Sequence, residues 1–203
     1  MKIAIIGATG NVGSRLIEEA LRCGYAVTAI ARQASKLPER DGVTTRDVDV
    51  ADTQALADAL RGNDAVISTV RFLQTSAAQI TAAVKAAGIR RLLVVGGAGS
   101  LYVAPGVQLV DTPSFPDAYK AEASAGRDFL NALRAETELD WSFLSPSALF
   151  TPGERTGKFR LGKDELLTAA DGKSWISMED YAIAMLDEIE QPKHVRERFT
   201  VGY

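Results

Sequence analysis

Histidine and cysteine occur once each in this chain, as His194 and Cys23. A transition-metal site built on imidazole or thiolate needs several such ligands together, so this composition excludes one. One thiol cannot close an internal disulfide, and a reducing cytoplasm is the simplest compartment. Cys23 falls on the apolar stripe of a helical segment and reads as a buried, inert thiol. His194 stands among Lys193, Arg196, Glu197 and Arg198 and reads as a solvated surface histidine. An excess of positive charge is missing too: 23 basic against 26 acidic residues gives no electrostatic case for nucleic acid. No apolar run approaches the roughly 20 residues that span a bilayer, so no membrane partner is expected. The N-terminal residues lack the long apolar stretch and small-residue cleavage site of a secretory signal. No internal repeat, low-complexity tract or linker interrupts the chain. What is present is an ordinary hydrophobic fraction, 46%, in 203 residues, enough for one domain with a sizeable core.

Apolar runs alternate with helical patterns. Residues 3–6 are continuously apolar, as a strand covered on both faces requires. Residues 11–23 carry Val12, Leu16, Ala20 and Cys23 on one helical side, with Gly24 as the stop. Strands follow at 25–31 and 43–48. Asp52 caps a helix to Leu60, which Gly62 ends. A strand over 64–70, an alanine-rich helix over 75–87 closed by Gly88, and a strand over 91–95 continue the alternation. Ser114 and Asp117 stand at capping-box spacing before a long helix over 117–136. A sixth strand covers 141–144. Ser177 and Asp180 repeat the capping-box spacing before a helix to Glu190, and residues 199–201 make a short final strand. This order predicts the α/β class: one Rossmann-like domain over residues 1–203, a doubly wound parallel sheet with helices on both faces. Segments 97–116 and 147–176 break the rhythm. They follow strands five and six, at the carboxyl edge where such sheets bind ligands, and are expected to cover the substrate; plain surface loops are the alternative. The final helix carries Ile183, Leu186 and Ile189, which core packing explains without a dimer, so the oligomeric state stays open.

The run Gly7-Ala8-Thr9-Gly10-Asn11-Val12-Gly13 directly follows the first strand and opens the first helix. Such a turn needs a residue tolerant of unusual backbone angles, a bare backbone where a pyrophosphate approaches, and a small residue where helix meets strand. The helix N-terminus then offers N–H groups and a positive dipole end to phosphate. The G-x-x-G-x-x-G spacing resembles the extended and atypical short-chain dehydrogenase/reductase superfamily. Asp49-Val50 resembles the acidic–apolar pair that this superfamily sets against adenine, and Trp141–Pro146 its sixth strand, which ends in a proline near the nicotinamide. The runs Gly153–Gly157 and Ile176–Asp180 are more specifically similar to the small NAD(P)H-binding proteins called NmrA-like or NADH-flavin reductase-like. The resemblance covers nearly the whole chain.

NAD-selective sites hold the adenosine ribose with a carboxylate about 20 residues past the glycines. Here the second strand ends in Ala31-Arg32, and the next acid is Glu39. Arg32 can clamp a 2′-phosphate through two N–H bonds, and Lys36 can add a point charge, so the expected cofactor is NADP(H), with NAD(H) the alternative. Asp49 and the Val50 N–H are expected at the adenine. Thr69, Val70 and Arg71, past strand four, are expected at the ribose or pyrophosphate, and Gly97 and Pro146 toward the nicotinamide.

Many members of the resembled superfamily use a Tyr-x-x-x-Lys pair on the helix after strand five, the lysine lowering the tyrosine pKa. Here Tyr119-Lys120 breaks the pair: with Lys120 in the lysine position the tyrosine position holds Pro116, and with Tyr119 in its own the lysine position holds Ala123. Lys120 and Ser100 remain the catalytic candidates, one for a ribose hydroxyl, the other for orienting substrate. Ketone reduction needs a proton delivered to an alkoxide. A flavin or quinone delocalises the charge, and water can supply the proton. The expected activity is therefore hydride transfer from NADPH to a small-molecule acceptor such as a flavin or quinone, with Gly97 to Ser100 and the loop after Pro146, including Phe150, on the acceptor side. A non-catalytic sensor of NADP⁺ against NADPH, and a sugar-nucleotide epimerase, are the rival readings.

Overall fold

The computed structural model describes residues 1–203. Twelve strands and five helices alternate in the order β1 (Lys2–Ile6), α1 (Asn11–Arg22), β2 (Ala26–Ala31), β3 (Val43–Asp47), α2 (Thr53–Leu60), β4 (Ala65–Ser68), α3 (Ala77–Ala86), β5 (Arg91–Val95), β6 (Tyr102–Ala104), β7 (Val107–Gln108), α4 (Asp117–Arg134), β8 (Asp140–Pro146), β9 (Leu149–Thr151), β10 (Arg160–Gly162), β11 (Trp175–Ser177), α5 (Met178–Glu190) and β12 (Glu197–Gly202). The main sheet runs β10-β12-β8-β5-β4-β1-β2-β3, parallel except for the edge strand β10. Chain order reverses between β1 and β4, which opens a crevice beyond their carboxyl ends.

The sheet is buried on both faces, as the unbroken apolar runs require. Ile3 and Ile5 pack with Leu16 and Met185 toward α1 and α5; Ala4 and Ile6 pack with Leu56, Ile80 and Phe129 toward α2, α3 and α4. Local signals set the helix starts. Asp52 accepts from the Ala55 N–H at 2.9 Å, and Ser76 with Gln79 forms a full capping box. Ser177 accepts from the Asp180 N–H, but the Asp180 carboxylate turns elsewhere. The expected cap at Ser114 is absent. α4 begins after Pro116 with no side-chain cap, and Ser114 Oγ lies 3.4 Å from Thr112 Oγ1 instead.

The two segments read as irregular contain short strands. β6 and β7 form a hairpin, β9 and β11 a small parallel pair, and β10 joins the main sheet. The segments also meet each other: Tyr102 donates to the Asp164 carbonyl at 2.8 Å and accepts from Leu166 at 2.9 Å.

Two expectations about exposure are corrected. Cys23 is exposed, because α1 ends at Arg22 and the thiol leaves the apolar stripe. Partial desolvation, then the charges of Glu19, Glu190 and Asp187, hold that thiol above its ordinary pKa. His194 is not a free surface group. Its Nδ1 lies 2.8 Å from Glu188 Oε2, and its ring stacks on Phe199 at 4.2 Å. The reason is Glu188, which α5 turns inward and which also takes Arg91 as a partner at 3.1 Å.

Candidate active site

The turn after β1 lies in the crevice between β1 and β4. Gly7 takes φ +83°, and a side chain there would strike Thr69 Oγ1 at 2.3 Å. A Cβ on Gly13 would lie 2.4 Å from the Gly7 carbonyl oxygen and 2.9 Å from Ala8, so only a bare backbone lets α1 approach β1 this closely. The Gly7 and Ala8 N–H groups donate to the Ile30 carbonyl, and Gly10 N–H donates to Gly7. The helical ladder begins with Ser14 donating to Gly10 at 2.9 Å, so the N–H groups of Asn11, Val12 and Gly13 stand ahead of it. Bare glycines, a helix N-terminus and a nearby cation form a cradle that fits a dinucleotide pyrophosphate.

A cleft of about 840 Å³ extends from this cradle. Of the residues singled out by sequence, Gly7, Thr9, Gly10, Arg32, Asp49, Val50, Thr69, Val70 and Arg71 line it. Arg32 is exposed on its wall. Asp49 bonds the Ala51 N–H at 3.0 Å, which fixes the loop after β3. Thr69 donates its hydroxyl to the Ile6 and Gly7 carbonyls, so its side chain secures the turn, and its oxygen can still accept. Ala8 is fully buried beneath the turn. Lys36 does not line the cleft. It ends a 3₁₀ turn over Ala34–Lys36 that Asp47 holds through Ser35. Gln33 and Gln74 line the cleft and were missed; single polar residues in loops give no periodic signal.

A second cleft of about 530 Å³ adjoins the first, and Arg71 lines both. Gly97, Ser100, Phe72, Leu109 and Leu149 contribute to its largely apolar wall. Tyr119, Glu122, Ala123 and Gly126 face it from α4, at the i, i+3, i+4, i+7 positions of one helical side. Lys120 is off that side by one residue, or about 100° of helix rotation, and is exposed outside both clefts. Glu122 accepts the Phe72 N–H at 2.8 Å and the Leu73 N–H at 3.2 Å, clamping the loop after β4. Pro146 is buried at the end of β8 and lines neither cleft; Ala148 and Leu149 stand there instead. Phe150 also departs from expectation. Strand alternation turns it inward onto Tyr181, ring centroids 4.6 Å apart, while Leu149 faces out. Tyr181 is itself fully buried, and desolvation raises its pKa well above the ordinary phenol value.

Ser100 is 3% exposed, and its hydroxyl accepts from Arg198 Nη1 at 3.3 Å. Arg198 is a further residue that sequence reading missed. Its partners, Ser100 and Asp164, are distant in the chain, so no local pattern announces them.

A doubly wound sheet with a bare glycine cradle at its switch point defines a Rossmann-type NAD(P)-binding protein of the oxidoreductase class. The NAD(P)H-binding family model matches residues 7–192, and the chain belongs to that family. It is 44% identical to the uncharacterised protein YwnB of Bacillus subtilis, over 99% of this chain and 98% of YwnB. A solved candidate epimerase from Bacteroides thetaiotaomicron is 45% identical with a TM-score of 0.94, covering 100% of this chain and 96% of that one. A solved NADH-flavin reductase candidate from Streptococcus pneumoniae is 36% identical with a TM-score of 0.87, covering 100% and 99%.

Proposed function

We propose that this chain is an NADPH-dependent reductase whose acceptor is a flat, delocalised molecule such as a flavin or quinone. One observation carries the reading. The cleft at the glycine turn opens, past Arg71, into a largely apolar cleft, which Tyr119 lines with Ala123, not lysine, one helical turn on. At the turn beside the first cleft, the N–H groups of Asn11, Val12 and Gly13 would hold the pyrophosphate; within the cleft, Arg32 would hold the 2′-phosphate, and Asp49 and Val50 would bound the adenine. The bound nucleotide supplies a hydride. In the second cleft, the backbone from Gly97 to Ser100, Phe72 and Leu149 bound a ring system.

Two of the polar groups that line this cleft are already engaged. Ser100 faces Arg198, and Glu122 accepts two backbone N–H groups. Lys120 lines neither cleft, and Tyr119, which lines this one, has Ala123 where a lysine partner would stand. The chain thus orients two rings and leaves protonation to water, which suits an acceptor that spreads the incoming charge. The name carried by the Streptococcus relative supports the same class of acceptor.

The test is NADPH oxidation, followed by absorbance, with FMN, FAD and a series of quinones. Steady turnover with one or more is the expected result. Tight NADPH binding with no turnover across the panel would overturn the proposal in favour of a redox sensor.

A further inference from the structure

Arg198 is a buried charge that neither cleft touches. Its side chain is 1% exposed. It donates to Asp164 Oδ1 from Nε at 2.8 Å and from Nη2 at 2.5 Å, to Ser100 Oγ at 3.3 Å, to the Ser100 carbonyl at 3.4 Å and to Ser145 Oγ at 3.4 Å. These partners come from three regions: the loop after β5, the end of β8, and the residues after β10. Burying a guanidinium is costly unless such bonds are made, so the site is committed to this arrangement.

The loop it holds is the wall of the second cleft. Leu101 donates back to Ala98 at 2.9 Å, and Val110 donates to Gly99 at 2.9 Å, which ties the β6–β7 hairpin to the same loop. Asp164 adds a further tie through its carbonyl, which accepts from Tyr102 at 2.8 Å. One arginine on β12 therefore gathers both covering segments onto one stretch of backbone.

We propose that Arg198, paired with Asp164, is a positioning residue that sets the shape of the acceptor wall from Gly97 to Leu101 without contributing to nucleotide binding. The proposal rests on the reading of the second cleft as the acceptor's. Arg198 acts through Ser100 and the loop backbone, and it touches neither reactant. Selectivity among acceptors depends on it, whereas affinity for the nucleotide does not.

The experiment uses the full chain with Asp164→Asn, Arg198→Lys and Arg198→Met. Hydrogen exchange is measured at the Leu101, Tyr102 and Val110 amides and, as a reference, across residues 3–6 and 27–30. In Asp164→Asn and Arg198→Met, exchange at the three amides speeds up about tenfold or more while the reference strands are unchanged. With an acceptor that turns over, the acceptor KM rises roughly tenfold, kcat changes less than KM, and the NADPH Kd stays within about twofold of the wild type. Arg198→Lys, which keeps the charge, recovers part of the loss. Should Arg198→Met fail to fold, Asp164→Asn decides alone, because Asp164 is partly exposed and its replacement keeps an oxygen toward Arg198. Unchanged exchange at the three amides, or equal acceleration in the reference strands, overturns the proposal. A wild-type protein that reduces no acceptor overturns the function proposed above, and the exchange result still decides whether Arg198 holds the wall.

Discussion

Arg32 and Gly13 do different work at the same cradle, and each makes its own prediction. Arg32 follows β2 directly and is exposed on the cleft wall, where the proposed function sets the 2′-phosphate. Arg32→Ala should weaken NADPH binding roughly 10- to 100-fold, the loss of charge-assisted hydrogen bonds, and leave NADH binding nearly unchanged. Titration of both nucleotides measures this, and equal losses would contradict the role. Gly13→Ala sets a methyl 2.4 Å from the Gly7 oxygen, a backbone atom that cannot swing aside. The expected cost is about 1–3 kcal/mol in denaturant unfolding, with α1 displaced from β1. Both residues were legible from sequence, because a glycine spacing and a strand-end charge are local patterns. Lys120, proposed from the lysine position of a Tyr-x-x-x-Lys pair, lines neither cleft; it lies about 100° around the helix from Tyr119, which does. Arg198 was not legible, since Ser100 and Asp164 meet it only once the sheet is assembled.

At the level of elements, the start of α5 is the junction that holds the second covering segment. The Asp180 carboxylate accepts from the Thr156 and Gly157 N–H groups at 2.8 Å, the Thr156 hydroxyl at 2.5 Å and the Tyr203 hydroxyl at 2.7 Å. Burial alone would raise its pKa; the Thr156 and Tyr203 hydroxyls and the two backbone N–H groups together outweigh burial and hold it below the ordinary value. A folded-state pKa depressed in this way stabilises the protein above the unfolded value, near 4, and the contribution is lost as pH falls through the folded value. Thermal unfolding of the wild type should therefore weaken below about pH 4. Asp180→Asn should be less stable at pH 7, with the gap between the two narrowing in acid; a constant gap would refute this linkage. Sequence gave the helix start at Ser177 correctly, because capping is a matter of three residues. The Asp180 bonds to residues 156, 157 and 203, each 23 or 24 residues away, were not legible. For the same reason the short strands β6, β7 and β9 to β11 were read as irregular: with two or three residues each, they have no period to detect.

For the molecule as a whole, the parallel order and the placement of ligand-facing loops at the carboxyl edge were both readable, because alternating buried strands and amphipathic helices allow few topologies. A ligand that binds only the folded state must stabilise it. At 100 times its Kd, NADPH should add about 2.7 kcal/mol, or roughly 5–10 °C in Tm for a chain of this size. At the same concentration NADH should add less, and Arg32→Ala should erase most of the difference. Equal shifts for both nucleotides in the wild type would argue against a phosphate-selective site.

Strand β12 pairs with β8 on one side and β10 on the other, although residues 147–196 lie between it and β8 in the chain. During synthesis the strands from β1 to β8 emerge first, whereas α5, which supplies Tyr181, Met185 and Leu186 to the core beneath β1 and α1, and β12 are made later. A nascent chain stalled ahead of residue 178 would leave the α1 face of the sheet uncovered and Ser100 without Arg198, so the two clefts depend alike on the last elements to be translated.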